Sequence, residues 1–288
     1  MTYASGVGLV FLAGVVWSVQ GLLIRQIADA GPWVILFWRS AGMVPVLLIW
    51  IWAGSGGRPL QQIRAVGWPG LIGGMGLVAA FAGAIYSFQT TSVANAVLLF
   101  TASPFFAALL GRVLLGEAVS PLTWAAIGLA VLGVGVMVGG GIAGGTMIGN
   151  VAALLSALGF AIFSVALRWR HLANMLPAIL LGGVLAMLAG ALASGLMGQT
   201  LLVPARDIAI AAGMGAVTLA GGLILYTIGS RAVPAAQATL ISLVEVLLAP
   251  IWALAFLGET VTPGTLLGGI VLLAAVILNA CGGRQTQA

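Results

Sequence analysis

The sequence predicts an all-α integral membrane protein whose ten transmembrane helices form two inverted five-helix repeats. Three observations lead there. The 288 residues are 62% hydrophobic and 5% charged, where a soluble domain carries roughly 25% charged residues. Apolar stretches of roughly 20 residues, the length that crosses a bilayer as a helix, follow one another along the chain. The octapeptide Gly116-Glu117-Ala118-Val119-Ser120-Pro121-Leu122-Thr123 returns as Gly258-Glu259-Thr260-Val261-Thr262-Pro263-Gly264-Thr265, about 142 residues further on, with five of its eight positions identical.

A β-barrel would alternate apolar and polar residues in short segments, and no stretch does so. Helices are the remaining way to satisfy backbone groups inside lipid. The first span, near Gly6–Ile27, carries Trp17 and Gln20 on one face. It is not expected to be a signal peptide, although Ala28-Asp29-Ala30 mimics a cleavage site. No basic stretch precedes it, and its apolar run exceeds the usual ~7–15 residues. The second, Trp33–Trp52, has tryptophans toward both ends, as interfacial belts do, and holds Arg39 in its outer part. The third, Trp68–Thr90, pairs Tyr86 with Gln89. The fourth, Ala94–Leu115, contains Asn95, Ser103 and Pro104. The fifth, Pro121–Val138, opens from the octapeptide, with Ser120 as N-cap and Pro121 in the first turn. The sixth, Ile148–Leu167, carries Phe160 and Phe163, and the seventh is Met175–Ser194. The eighth, Ile208–Gly229, carries Tyr226. The ninth, Ala235–Leu257, aligns Gln237, Ile241 and Glu245 on one stripe at i, i+4, i+8. The tenth, Pro263–Leu278, repeats the start of the fifth with Thr262 and Pro263. The halves are residues 1–142 and 143–288 of one membrane domain.

Among the 43 glycines, Gly70-x-x-x-Gly74, Gly135-x-x-x-Gly139 and Gly264-x-x-x-Gly268 read as helix-packing motifs, and as surfaces that could slide during gating. Glu117 and Glu259, near helix C-termini where the dipole disfavours an acid, read as structural, with Arg112 the expected partner of Glu117.

Ten arginines and no lysine supply the positive charge. With the N-terminus in the cytoplasm, Arg58, Arg64, Arg112, Arg168, Arg170, Arg231 and Arg284 fall in inner loops, and only Arg25 and Arg206 fall in outer ones. That bias places both termini inside. It speaks to orientation and not to nucleic acid. Five spans per half is an odd number, so the halves enter the membrane from opposite sides. A shift of about 143 residues also pairs Gly6 with Gly149, Trp17 with Phe160 and Arg25 with Arg168. Inverted repeats of this kind frame a substrate site near the midplane.

The octapeptides, Phe37-Trp38-Arg39-Ser40 and the segment Ala94–Glu117 resemble the EamA-type drug/metabolite transporter superfamily, ten-helix proteins of two inverted halves. The likeness covers nearly the whole chain. It departs in the ninth helix, where Glu245 is followed by Val246 and Pro250 comes later. The chain is similar overall to bacterial YddG-type exporters of aromatic amino acids. The resemblance implies an inner-membrane transporter whose first, third, fourth, sixth, eighth and ninth helices surround a cavity.

Trp17, Gln20, Tyr86, Gln89, Asn95, Ser103, Phe160, Phe163, Tyr226, Gln237 and Glu245 fall on those helices and are the candidate substrate-binding residues. A polar side chain facing lipid is costly, so these amides face protein or a wet cavity. Aromatic faces with a few amides suit a flat, amphipathic solute, although Trp and Tyr near span ends also serve interfacial belts. Glu245 lies about 11 residues into its span, ~16 Å at 1.5 Å per residue, close to the midplane. It is the candidate proton carrier, or it binds a solute ammonium, or it is a neutral brace to a neighbouring helix. Arg39 reads as structural, bonding carbonyls or an acid. Pro121 and Pro263 read as helix starts.

An intramembrane enzyme is disfavoured. Only Glu245 is a deep acid, and the single His171 lies in an Arg-rich loop. The lone Cys281 permits neither a disulfide framework nor a cysteine metal site. No channel-type ring of charges or carbonyls is evident, and no nucleotide-binding loop is present. No cofactor, metal or protein partner is expected. The reading is a secondary exporter of small metabolites, amino acids including aromatic ones foremost. Efflux of cationic drugs and uptake of a sugar-like metabolite are the alternatives, and protons are the candidate coupling ion.

Overall fold

The structure, a computed structural model, describes residues 1–56, 58–140, 147–169, 175–233, 238 and 241–282. Every regular element among them is helical. Seven helical segments are long and apolar enough to cross a membrane: Tyr3–Arg25, Pro32–Gly54, Gly67–Thr90, Val93–Leu115, Met147–Trp169, Leu176–Leu196 and Ala205–Gly229. Three shorter apolar stretches are described at Pro121–Val136, Val244–Leu257 and Pro263–Leu278.

The octapeptide does the same local work twice. Gly116 and Gly258 adopt left-handed backbone conformations, with φ of 69° and 65°. Glu117 N–H then reaches back to Gly111 O, and Glu259 N–H to Ala253 O, each at 3.2 Å. Each bond reaches back six residues and helps close the helix behind its left-handed glycine, the usual terminator of a helix. Three residues on, Ser120 and Thr262 accept the N–H of Thr123 and Thr265, each at 3.1 Å. The expected N-caps are therefore present, and Pro121 and Pro263 open the helices Pro121–Gly140 and Pro263–Gly282.

Helices meet through glycines at backbone distance. A Cβ on Gly76 would lie 2.7 Å from the Gly159 carbonyl oxygen, and one on Gly159 would lie 2.5 Å from that of Gly76. Gly6 and Gly229 face each other in the same way at 2.9 and 2.8 Å, and Gly133 meets the Gly268 carbonyl at 2.8 Å. The expected motifs carry only part of this. Gly74 packs on Leu185 and Gly182, and the Gly268 carbonyl takes Gly133, but Gly135 faces open space and Gly70 meets Val66, four residues before it in the chain. Spacing finds the small face of a helix. It does not say which helix will come to cover it.

The interior helices are interrupted. Numbered in chain order, α1 (Tyr3–Ser18) gives way to α2 (Gln20–Arg25) at Val19. The break between α3 (Val93–Phe100) and α4 (Ser103–Leu115) falls at Thr101–Ala102. Between α5 (Ala205–Gly213) and α6 (Gly222–Gly229) the chain winds as a π-helix over Met214–Gly221. A turn at Leu243 precedes the Val244–Leu257 helix. Hydroxyls that bond backward onto the ladder coincide with three of these places. Ser18 donates to Val15 O at 2.7 Å, Thr101 to Leu98 O at 2.6 Å, and Thr218 to Met214 O at 2.6 Å. Such bonds compete with the helix and bend it. Pro104 lacks the donor that would continue the helix across Thr101–Ala102.

Candidate functional site

One face of the first span organises the interior. Gly14, Trp17 and Gln20 follow at intervals of three, so they lie one above another. Each meets a different helix. A Cβ on Gly14 would lie 2.5 Å from Val244 Cγ1 and 3.6 Å from the backbone nitrogen of Glu245, so the start of the Val244–Leu257 helix packs there. Trp17 lies against Tyr226, with ring centroids 5.7 Å apart and planes inclined by 36°. Its indole fills the space a side chain would take at Gly222. Gln20, the first residue after the Val19 interruption, accepts a hydrogen bond from Arg39 Nη2 at 2.9 Å.

Arg39 is 4% exposed. Its guanidinium lies 5.2 Å from the centroid of the Phe81 ring. Its backbone is closely packed as well, since any side chain at Gly215, in the π-helical stretch, would run into the Arg39 carbonyl. The sequence suggested carbonyls or an acid as the partners of Arg39. The bonded partner is a carbonyl oxygen, that of the Gln20 side-chain amide. Glu245 is half-buried in the first turn of its helix. It interacts electrostatically with Arg39 without forming an ion pair with it.

The other candidates are elsewhere. Asn95 is 1% exposed and belongs to a sealed polar knot between helices. Thr265 Oγ1 donates to its Oδ1 at 2.5 Å, its Nδ2 donates to Asn150 Oδ1 at 3.4 Å, and Thr91 Oγ1 donates to the same oxygen at 2.9 Å. Gln89 donates to the Ala30 carbonyl at 3.2 Å, which holds the loop between the first two spans. Ser103 is buried at the start of α4. Phe163 is buried against Gly73 and Gly76, while its neighbour Phe160, 5.8 Å away, is 47% exposed. Tyr86 is 38% exposed. Gln237 lies outside the described residues, as do His171, Arg170 and Arg284. Among the described residues no group of three or more His, Cys, Asp or Glu could hold a metal.

Two ion pairs flank this interior. Arg25 meets Glu259 at 2.8 Å, and Arg168 meets Glu117 at 2.8 Å. The expected Arg112 is not the partner of Glu117. Arg168 arrives from the Met147–Trp169 helix, where Gly111 leaves room for the Glu117 carboxylate and Arg168 also bonds Ala107 O at 3.1 Å. Glu259 also accepts the Val93 N–H at 2.9 Å, and Arg25 donates to Thr91 O at 2.7 Å. Val93 begins the fourth span and Glu117 follows its end, so the two pairs lie at opposite ends of it. The signal was available: Arg25 and Arg168 match under the repeat offset, as do Glu259 and Glu117, so one cross-pairing implies the other.

The chain matches the model described as EamA-like transporter family twice, over residues 4–139 and 147–281. It is 28% identical over 287 residues to the pseudopaline exporter CntI of Pseudomonas aeruginosa, covering 95% of each chain. It is 31% identical over 198 residues to an uncharacterized transporter of Archaeoglobus fulgidus, covering 67% of this chain and 69% of that one. One crystal structure superposes on it with a TM-score of 0.66 at 17% identity, covering 99% of both chains, a likeness of fold alone.

Proposed function

This chain belongs to the EamA-like transporter family, and from that premise we propose that it exports small metabolites, amino acids including aromatic ones foremost, by alternating access around a central midplane cavity. The observation that carries this reading is the interior face of the first span. Trp17 with Tyr226, Gln20 with Arg39, and the nearby Glu245 gather beside helix interruptions, and discontinuous helices are where secondary transporters build midplane sites. The similarity to a pseudopaline exporter supports the direction.

The architecture we infer is ten helices in two inverted halves, residues 1–142 and 143–288, in the plasma membrane with both termini cytoplasmic. Two family matches in one chain support the halving. The arginine distribution supports the orientation. The two ion pairs then act as reciprocal gates, each joining the end of one half's first helix to the turn after the other half's fourth. With the N-terminus inside, Arg25–Glu259 closes the outer end and Arg168–Glu117 the inner. Glu245 is the coupling carboxyl, since Glu117 and Glu259 are committed to the gates.

Purified protein in liposomes, assayed for counterflow with amino acids, cationic dyes and sugars, tests the function. Counterflow with at least one amino acid is expected, and its absence rejects the amino-acid reading. Cysteines placed at Arg58 and Arg206, with Cys281→Ser as background, should label from opposite sides of the membrane. Labelling from one side would remove the inverted topology.

A further inference from the structure

Arg39 and Asp207 are the charged side chains most deeply buried among the described residues. Asp207 has an evident task, since it accepts the Asp29 N–H at 2.9 Å. Arg39 does not. One hydrogen bond, to Gln20, and one aromatic face, Phe81, account for its contacts. Its Nε and Nη1, which carry most of the N–H groups of the guanidinium, are buried without an acceptor. Each buried donor left unmade costs about 1–3 kcal/mol, more where the group is charged. In a membrane span the cost of a cation that no carboxylate touches is greater still. A planar cation with free N–H groups is shaped to bind a carboxylate.

The first span gives this donor a setting. Glu245 packs at the level of Gly14, the Trp17–Tyr226 pair lies one turn on, and Arg39 is held at the level of Gln20. Six residues separate Gly14 from Gln20, or ~9 Å at 1.5 Å per residue. Glu245 and Arg39 thus stand at different levels of one face of the first span, with the Trp17–Tyr226 pair between those levels, and they form no ion pair with each other.

We propose that Arg39 binds the carboxylate of the transported solute while Glu245 receives its ammonium group, which makes the site selective for amino carboxylates in their zwitterionic form. The proposal rests on the transporter reading above and deepens it. Arg39 is then a specificity residue, and Gln20 positions it by holding Nη2. The pairing requires both charges on one solute. A cation without a carboxylate leaves the Arg39 donors unmet, and an acid without an amine leaves Glu245 without its partner.

The test is equilibrium binding to the purified full chain, with L-phenylalanine and L-leucine each set beside its amide and its deaminated acid. Wild type should bind each amino acid at least tenfold more tightly than either analogue. Arg39→Gln and Arg39→Lys should lose the preference over the amide, and Glu245→Gln the preference over the deaminated acid. The analogue series on wild type needs no variant to fold, and Arg39→Lys keeps the charge should Arg39→Gln misfold. Equal binding of analogue and amino acid, preferences unchanged in the variants, or no binding of any amino carboxylate would overturn the assignment. The transport reading fails separately. If cationic dyes or sugars move through wild type in liposomes while no amino carboxylate binds, transport stands and the Arg39 assignment falls. If the binding preferences hold and nothing moves, the reverse is true.

Discussion

Arg25 with Glu259 and Arg168 with Glu117 match under the repeat offset of the sequence, yet they are not equally enclosed. The first pair exposes 29% and 22% of its side chains, the second 45% and 37%. The first is also stitched to the backbone on both partners, through Thr91 O and the Val93 N–H, and the second only through Ala107 O. Repetition in the sequence decides which residues pair. Local packing decides how tightly, so two matched parts can differ in strength within one conformation. The interior between them follows another rule. Arg39 corresponds under the repeat offset to Gly182, and Glu245 to Ala102. The residues of the two ion pairs recur under the offset, and Arg39 and Glu245 do not.

Changes at the centre should have the largest effects, because no second copy can substitute. Glu245→Gln is expected to abolish accumulation driven by an imposed pH gradient in liposomes while leaving downhill exchange measurable. Full response of the variant to the gradient, or indifference of wild type to it, removes Glu245 from coupling. At the ends the effects should be smaller and unequal. Glu259→Gln leaves Arg25 partly buried without its acid and should lower transport about tenfold. Glu117→Gln removes a more exposed pair, the kind worth about 0–1 kcal/mol, and should lower transport only about two- to threefold. Equal losses in counterflow assays would erase the distinction between the two ends. Trp17→Ala should weaken transport several-fold at unchanged expression, and the more exposed Tyr86→Ala less. The reverse order would mean that the working face of the third span has been misread. The smallest effect concerns salt. Raising ionic strength from 0.1 to 1 M shortens the screening length from ~10 to ~3 Å. The difference between wild type and Glu117→Gln should then vanish, and that for Glu259→Gln should persist.

What could be read from the sequence was what depends on neighbours along the chain. The helix edges, the capping by Ser120 and Thr262 and the end of one span with the start of the next at the octapeptide follow from local hydrogen bonds and apolar length. Trp17 with Gln20 could be placed on one face by spacing alone. The partners could not. Assigning Glu117 to Arg112 used the nearest arginine in sequence, whereas Arg168 comes from a helix that only the assembled bundle brings near. Asn95 and Gln89 have no evident partner nearby in the chain, so the sequence leaves open whether they face protein or a wet cavity. Thr265, Asn150 and the Ala30 carbonyl do so across the fold. Arg39 reads in the sequence as a structural residue bonding carbonyls or an acid, but that the carbonyl belongs to Gln20, next to the Val19 break, depends on the fold.

The glycine contacts carry a consequence for synthesis. Gly76 with Gly159, Gly6 with Gly229, Gly133 with Gly268, and Gly190 against the Trp33 carbonyl at 2.7 Å all join a helix from residues 4–139 to one from 147–281. The closest backbone approaches are therefore with helices that leave the ribosome later. Until they are inserted, the first half holds small-residue faces with nothing to cover them, and it cannot complete its packing as a unit. The packing of residues 4–139 is accordingly expected to finish only once residues 147–281 are in the membrane. Two halves made as separate polypeptides in the same membrane have every surface they need to find each other.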